Sequence, residues 1–289
     1  MGIKGCLIKT LDIFISYLYK VFKTIFRKNI REDILNLSTI RIINTSQTLD
    51  VIENSIVNKQ KGVYMRFGDG DVLLMNLKSD ARQASNIFLA EEMKEAFECK
   101  GGNVHKCLAI HSEKYGYEEG MCIGNHLVTD KDAQDLLMST FQFFIGENIF
   151  SPIALHFKAS HDIIRAKSFL KVLKNNTRIF IGNELFKEEV SNRLFGEIKH
   201  IKTPEKNAYN EIERIYSEAK NELLKIDSFC VVVVAMGCSG RPLMKRLYNE
   251  NYNVYLFDFG SLLDGFNNSM TRTWLKINKI NYKYLLKDL

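Results

Sequence analysis

Four consecutive valines at positions 231–234 constrain this chain more than any other feature. They lie inside an uninterrupted apolar run, 229–235, that stops at Met236-Gly237-Cys238-Ser239-Gly240. A β-branched run with no polar alternate position has no solvent face, so it predicts a strand covered on both sides. Such strands belong to parallel sheets whose crossovers are helices. The flanking sequence agrees. It reads as a strand at 177–181 ending at Gly182, a helix, a strand at 198–201 and a helix at 205–224. After the valine strand come a helix at 241–250 and a strand at 253–257 ending at Asp258. The predicted fold class is therefore α/β, a Rossmann-like parallel sheet with helices on both faces.

The first half is punctuated less clearly. Residues 62–67 read as a strand that stops at Gly68-Asp69-Gly70-Asp71, with a helical turn restarting over 72–77. A helix over 81–99 is expected, capped by Ser79 or Asp80. Strands at 107–111 and 153–157 follow, with helices over 130–144, entered through Thr129-Asp130, and from 160 to 173. Residues 32–61 read as one or two helices, with Ser46 as an N-cap. Ahead of them, residues 1–30 form a separate unit, an amphipathic helix with apolar positions at helical spacing. Lys9, Asp12, Lys20 and Lys23 interrupt it too often for a membrane span. With Arg27, Lys28 and Arg31 behind it, it suits either a peripheral membrane contact through residues 5–28 or a partner contact. The remainder, 31–289, is expected to form one further domain built on the α/β pattern.

A net charge of +6, spread along the chain, is too small and too diffuse for a nucleic-acid surface. Six cysteines without a CxxC pair fit a reducing cytoplasm, on the inner face of the plasma membrane if the helix engages lipid. The spacing of Cys99, His105, Cys107 and His111 matches no structural zinc pattern.

Ligands of open parallel sheets gather at the carboxyl ends of the strands. Four candidate segments fall there: 68–71, 182–184, 237–240 and 258–260. In an extended segment, Asp69 and Asp71 could turn toward one divalent cation, and Mg²⁺ or Mn²⁺ shares itself readily with a diphosphate. The competing reading is a glycine-rich turn whose aspartates cap the following helix. Arg66 could pair with those carboxylates or contact phosphate. The backbone of 237–240 before a helix makes an anion site, or Ser239 is only an N-cap. Thr203-Pro204 reads as a helix start, which leaves Lys206 and Asn207 near the same edge.

These segments resemble a family, the GT-D glycosyltransferases. Its signature Arg-(Phe/Tyr)-Gly-Asp-Gly-Glu is matched by Arg66-Phe67-Gly68-Asp69-Gly70-Asp71 except at the last residue. Gly182-Asn183-Glu184-Leu185-Phe186 is similar to the family's Gly-Asn-Asp-Leu-Phe. Pro204-Glu205-Lys206-Asn207-Ala208-Tyr209 is similar to its Pro-Ser-Lys-Asn-Ala-Phe. The turn 236–240 stands for Leu-Gly-Pro-Thr-Ala, and Asp258-Phe259-Gly260-Ser261 for Asp-Ile-Gly-His. The order is kept across about residues 50 to 265. Asp71 replaces a Glu, Ser261 replaces a His, and Cys238 and Gly240 alter the turn.

The resemblance implies a GT-D type fold and hexosyl transfer from a nucleotide sugar, a UDP-sugar by expectation. The acceptor would be a saccharide or lipid-linked saccharide in surface polysaccharide or glycoprotein glycan assembly. It assigns Asp69 and Asp71 to metal and catalysis, with Asp71 or Asp258 as a general base. Arg66, Gly68, Gly182, Asn183, Lys206, Asn207, Gly237 and Ser239 would bind the donor. Two other functions compete. A strand ending in a Gly-rich turn also suits an S-adenosylmethionine-dependent methyltransferase, and a degenerate relative could serve glycan assembly as a binding partner.

Overall fold

The computed structural model describes residues 40–110, 121–122, 131–269, 272, 275–276 and 278–289. The amphipathic helix expected over 1–30, its contact at 5–28, the start of the 32–61 reading, Cys6, His111 and the 129–130 entry lie outside the described residues. No helix of the described residues is long and apolar enough to cross a membrane.

Nine strands are described: β1 (Arg41–Ile42), β2 (Gly62–Phe67), β3 (Val104–Leu108), β4 (Met121–Cys122), β5 (Asn148–Ile149), β6 (Thr177–Asn183), β7 (Lys199–Thr203), β8 (Cys230–Ala235) and β9 (Val254–Asp258). Six form the main sheet in the order β3-β2-β9-β8-β6-β7, every neighbouring pair parallel. The valine strand is near its centre, as a strand without a solvent face must be. Alternate side chains then feed two separate cores. Val232, Val234, Ile179, Ile181, Met65 and Leu256 face one, while Val231, Val233, Phe180, Tyr64, Tyr255 and Phe257 face the other. Helices Ile87–Glu98, Ile212–Leu223 and Gly240–Asn249 cover the first core, and Thr45–Val57, Ile163–Asn176 and Glu188–Phe195 the second. Burying one such valine contributes about 1.5 kcal/mol or more, so both faces hold the sheet. A small second sheet, β4-β1-β5, flanks it.

The second half follows the sequence reading closely, and the first half departs from it at identifiable places. β3 begins at Val104, ahead of the expected 107–111, because His105 and Lys106 are buried in a strand that their polarity argues against. Lys106 Nζ donates to Phe97 O at 2.8 Å and Phe143 O at 2.7 Å, and pairs with Glu147 at 3.1 Å. His105 Nδ1 meets the Tyr255 hydroxyl at 2.7 Å. Residues 153–157 are not a strand but enter the helix Ala154–His161; a short apolar run does not separate the two by periodicity. The helix expected from 81 starts at Ile87, because Asn86 is the cap, accepting from Leu89 N at 2.9 Å. Asn44 rather than Ser46 caps the helix Thr45–Val57. Thr203 ends β7 instead of capping a helix, and after a turn the helix begins only at Ile212. Cys99, Cys107, Cys230 and Cys238 are free thiols.

Candidate functional site

The carboxyl ends of the main strands open on one crevice of 660 Å³. Register puts them level: Val234 lies opposite Asp258 across β8–β9, and Gly182 opposite Ala235 across β6–β8. All four strand-end segments singled out in the sequence reach this place, through Gly68 to Asp71, Asn183, Gly237 to Ser239, and Asp258 with Gly260 and Ser261. Lys206 and Gly182 do not line it. Lys206 is exposed, and Gly182 is packed where a Cβ would strike the Phe180 ring at 2.4 Å.

The floor is a chain of four charges. Arg66, on β2, places Nε 3.4 Å from Asp258 Oδ1. Asp258, which ends β9, places Oδ2 3.1 Å from Arg241 Nη1. Arg241 Nε is in turn 3.4 Å from Asp71 Oδ1. Asp71 and Asp258 are 2% and 3% exposed, so two buried negative charges are matched by two guanidiniums. Arg66 is fixed further by Nη1, which donates to Pro152 O at 2.9 Å and meets His156 Nε2 at 3.0 Å. A guanidinium only donates, so that His156 nitrogen is the acceptor. Gly260 completes the seat. Its φ of +64° and the Arg66 Nη2 lying 1.4 Å from where a Cβ would stand both require glycine.

The acidic pair is split by local geometry. Residues 69–75 are helical from Asp69 onward, not extended through Asp71 as shared chelation needs. Residues two apart on a helix do not face each other. Asp71 turns inward, where Oδ2 accepts from the N-cap amide, Gly68 N, at 2.8 Å, the one half of a capping box that a glycine cap permits. Burial raises its pKa against the lowering influence of Arg241. Burial pulls the Arg241 pKa down, yet Asp258 and Asp71 hold it above its ordinary value. Asp69 turns outward, exposed on the crevice, with Oδ1 accepting, among the described residues, only from the adjacent Gly70 N, at 2.9 Å.

Residues 79–86 form a strap along the crevice, a segment read from sequence as a cap at 79 or 80 and helix from 81. Asp80 Oδ1 accepts from Arg82 N at 2.7 Å and Gln83 N at 2.5 Å, while its Oδ2 accepts from Cys238 Sγ at 3.3 Å. Gln83 is 4% exposed, and its Oε1 accepts from Ser239 Oγ at 2.8 Å and Tyr209 N at 3.1 Å. Asn207, with φ +55°, donates from N to Arg82 O at 2.9 Å and accepts on Oδ1 from Ala84 N at 2.8 Å. Ser239 and Asn207 thus spend side-chain capacity on the strap. Asn183 Oδ1 likewise caps its own turn at Leu185 N.

Sequence reasoning missed Arg241, His156, Asp80, Arg82 and Gln83 as site residues. Arg241 carried one usable signal: a cation in the first turn of a helix opposes the helix dipole and needs carboxylates nearby. Among the described residues no group of three or more His, Cys, Asp or Glu could hold a metal by itself. Mg²⁺ does not require one, since it is bound through one or two carboxylates plus substrate phosphates. Exposed Asp69 fits that shared kind of site. Asp71, engaged by Gly68 and Arg241, fits it less well.

The sequence matches the glycosyltransferase GT-D fold family over residues 64–285. Among solved structures, the chain is similar to a glycosyltransferase (DUF1792) from Streptococcus sanguinis, with a TM-score of 0.58, 18% identity, and coverage of 76% of this chain and 81% of that chain. It is also similar to a structure of the highly conserved domain of unknown function 1792, described as a distinct glycosyltransferase fold. That match has a TM-score of 0.55, 18% identity, and coverage of 78% of this chain and 80% of the other. At that identity the likeness concerns the fold. No curated protein matches the chain.

Proposed function

This chain belongs to the glycosyltransferase GT-D fold family, and from that premise we propose that it transfers a hexosyl group from a nucleotide sugar, a UDP-sugar in the first instance, to a saccharide acceptor. The observation that carries the reading is the convergence of the Asp69, Asn183, Gly237 and Asp258 segments on one crevice at the carboxyl edge of a parallel sheet. A crevice of that size suits a nucleotide diphosphate with a sugar attached. Nothing in its lining favours the methyltransferase reading over this one.

In this reading the residues divide the work. Asp69 would hold Mg²⁺ or Mn²⁺ against the donor diphosphate, and the cation would supply neutralisation of charge on the departing nucleotide. Asp71 holds the turn that presents Asp69 and neutralises Arg241. Gly237 has φ +61° and open space where a Cβ would stand, so backbone in the turn before the helix Gly240–Asn249 can approach a phosphate closely. If transfer inverts, Asp71 is the better base of the two buried carboxylates. Burial raises its proton affinity, and it lines the crevice beside Asp69. The acceptor, free or lipid-linked, would enter past Pro152, Ile153 and His156, which also line the crevice.

The test is nucleotide release from a panel of UDP- and GDP-sugars with Mn²⁺, Mg²⁺ or chelator. Metal-dependent release in the wild type and its loss in Asp69→Ala, with an unchanged melting temperature, are expected. Full release by Asp69→Ala would sink the metal assignment, and a wild type that neither binds nor turns over any nucleotide sugar would sink the function.

A further inference from the structure

The crevice floor contains two arginines but no net positive charge. Arg66 and Arg241 are each committed to Asp258, and Arg241 also to Asp71. A diphosphate carries charge that a self-compensated floor does not balance, and Lys206 lies outside the lining. Two cations line the crevice with no carboxylate partner among the described residues, Arg82 and Arg272. They differ in how they are held. Arg272 is exposed. Arg82 is half-buried at the middle of the strap, its own N bonded to Asp80 Oδ1 and its own carbonyl accepting from Asn207 N.

The strap also fixes where Arg82 stands. At Asp80 it touches Cys238, and a Cβ on Gly70 would lie 3.1 Å from both Asp80 Oδ2 and Cys238 Sγ. At Gln83 it is bonded to Ser239. Arg82 therefore issues from between the two contacts that tie the strap to the turn 237–239, beside the turn that carries Asp69. These bonds use the backbone of Arg82 and leave its guanidinium free of them. A planar fork of five donors held in place by its main chain suits bidentate contact with phosphate at little ordering cost.

We propose that Arg82 is the phosphate-binding cation of this crevice, the side chain that takes the diphosphate of the nucleotide donor. This rests on the nucleotide-sugar reading above. It assigns the role to a residue on the strap instead of Arg66 or Lys206.

The test is calorimetric titration of the full chain with UDP, GDP and uridine in the presence of Mn²⁺, comparing wild type, Arg82→Ala, Arg82→Lys, Arg272→Ala and Lys206→Ala. Arg82→Ala is expected to weaken the bound diphosphate about ten- to a hundredfold, the size of one lost charge-assisted hydrogen bond. Uridine affinity should not change, because it has no phosphate. Arg82→Lys should recover part of the loss, and Lys206→Ala should match wild type. An unchanged melting temperature in Arg82→Ala would show the strap intact. Equal diphosphate binding by wild type and Arg82→Ala overturns the proposal, as does an equal loss of uridine affinity, which would mark a purely structural role. A loss confined to Arg272→Ala also overturns it, in favour of that exposed arginine. A wild type that binds no nucleoside diphosphate overturns the reading beneath it, and is told apart from the other failures because it needs no variant.

Discussion

The floor and the strap of the crevice solve opposite problems. The floor buries Arg66, Asp71, Arg241 and Asp258 and lets them neutralise one another, so its charge is consumed in holding shape. The strap is held by hydrogen bonds through Asp80, Gln83 and Asn207, and leaves the Arg82 side chain without a carboxylate partner among the described residues; nearby, Asp69 stands exposed. Removing a partner from the first should cost folding, and removing a side chain from the second should cost binding.

The comparison breaks most sharply at Arg241. Arg241→Ala leaves Asp71 without its guanidinium and Asp258 with one of two, a change worth about 3–5 kcal/mol of stability. Urea denaturation should show it, and a midpoint within error of wild type would mean that the floor is solvated and not a buried network. Gly260→Ala comes next. It forces a non-glycine residue to φ +64° and displaces Arg66, for about 1–3 kcal/mol together with loss of nucleotide release. If Gly260→Ala kept full release, Arg66 would not need its seat.

Asp71→Asn sharpens the contrast because it keeps the acceptor for Gly68 N and removes the charge together with the oxygen that faces Arg241. Burial raises the Asp71 pKa above its ordinary 3.8. A raised folded pKa contributes stability that is present below 3.8 and is lost as pH rises through the folded value. Asp71→Asn is therefore expected to gain on wild type as pH rises, within about 1 kcal/mol, in melting curves from pH 3.5 upward. A gain on lowering pH would reverse the sign and refute the burial account. Asp69→Ala should move stability by no more than about 0.5 kcal/mol, as surface changes do, while abolishing release. Lys206→Ala should alter neither.

How far sequence alone reached differed between the two halves of the sheet. β2 and β8 announce themselves because their buried positions are apolar, and β9 because only its last residue, Asp258, is not. β3 is hidden by His105 and Lys106, whose partners Tyr255, Phe97, Phe143 and Glu147 come from elsewhere in the chain. The strap is hidden for the same reason. Ser79 and Asp80 look like caps, but Asp80 bonds its own loop and Cys238, and Asn86 does the capping.

The acidic segment shows the boundary most clearly. Sequence by itself placed a glycine-flanked pair of aspartates at the end of a strand, since the apolar residues 62–65 and 67 and the glycines are local properties. It left two roles open, metal ligand and helix cap. Tertiary structure separated the pair: Asp71 is buried, bonded back to the N-cap amide of Gly68 and paired with Arg241, and Asp69 is the one left exposed on the crevice. Helical backbone turns neighbouring side chains to different faces, and only a guanidinium delivered by the helix after β8 decides which face is buried.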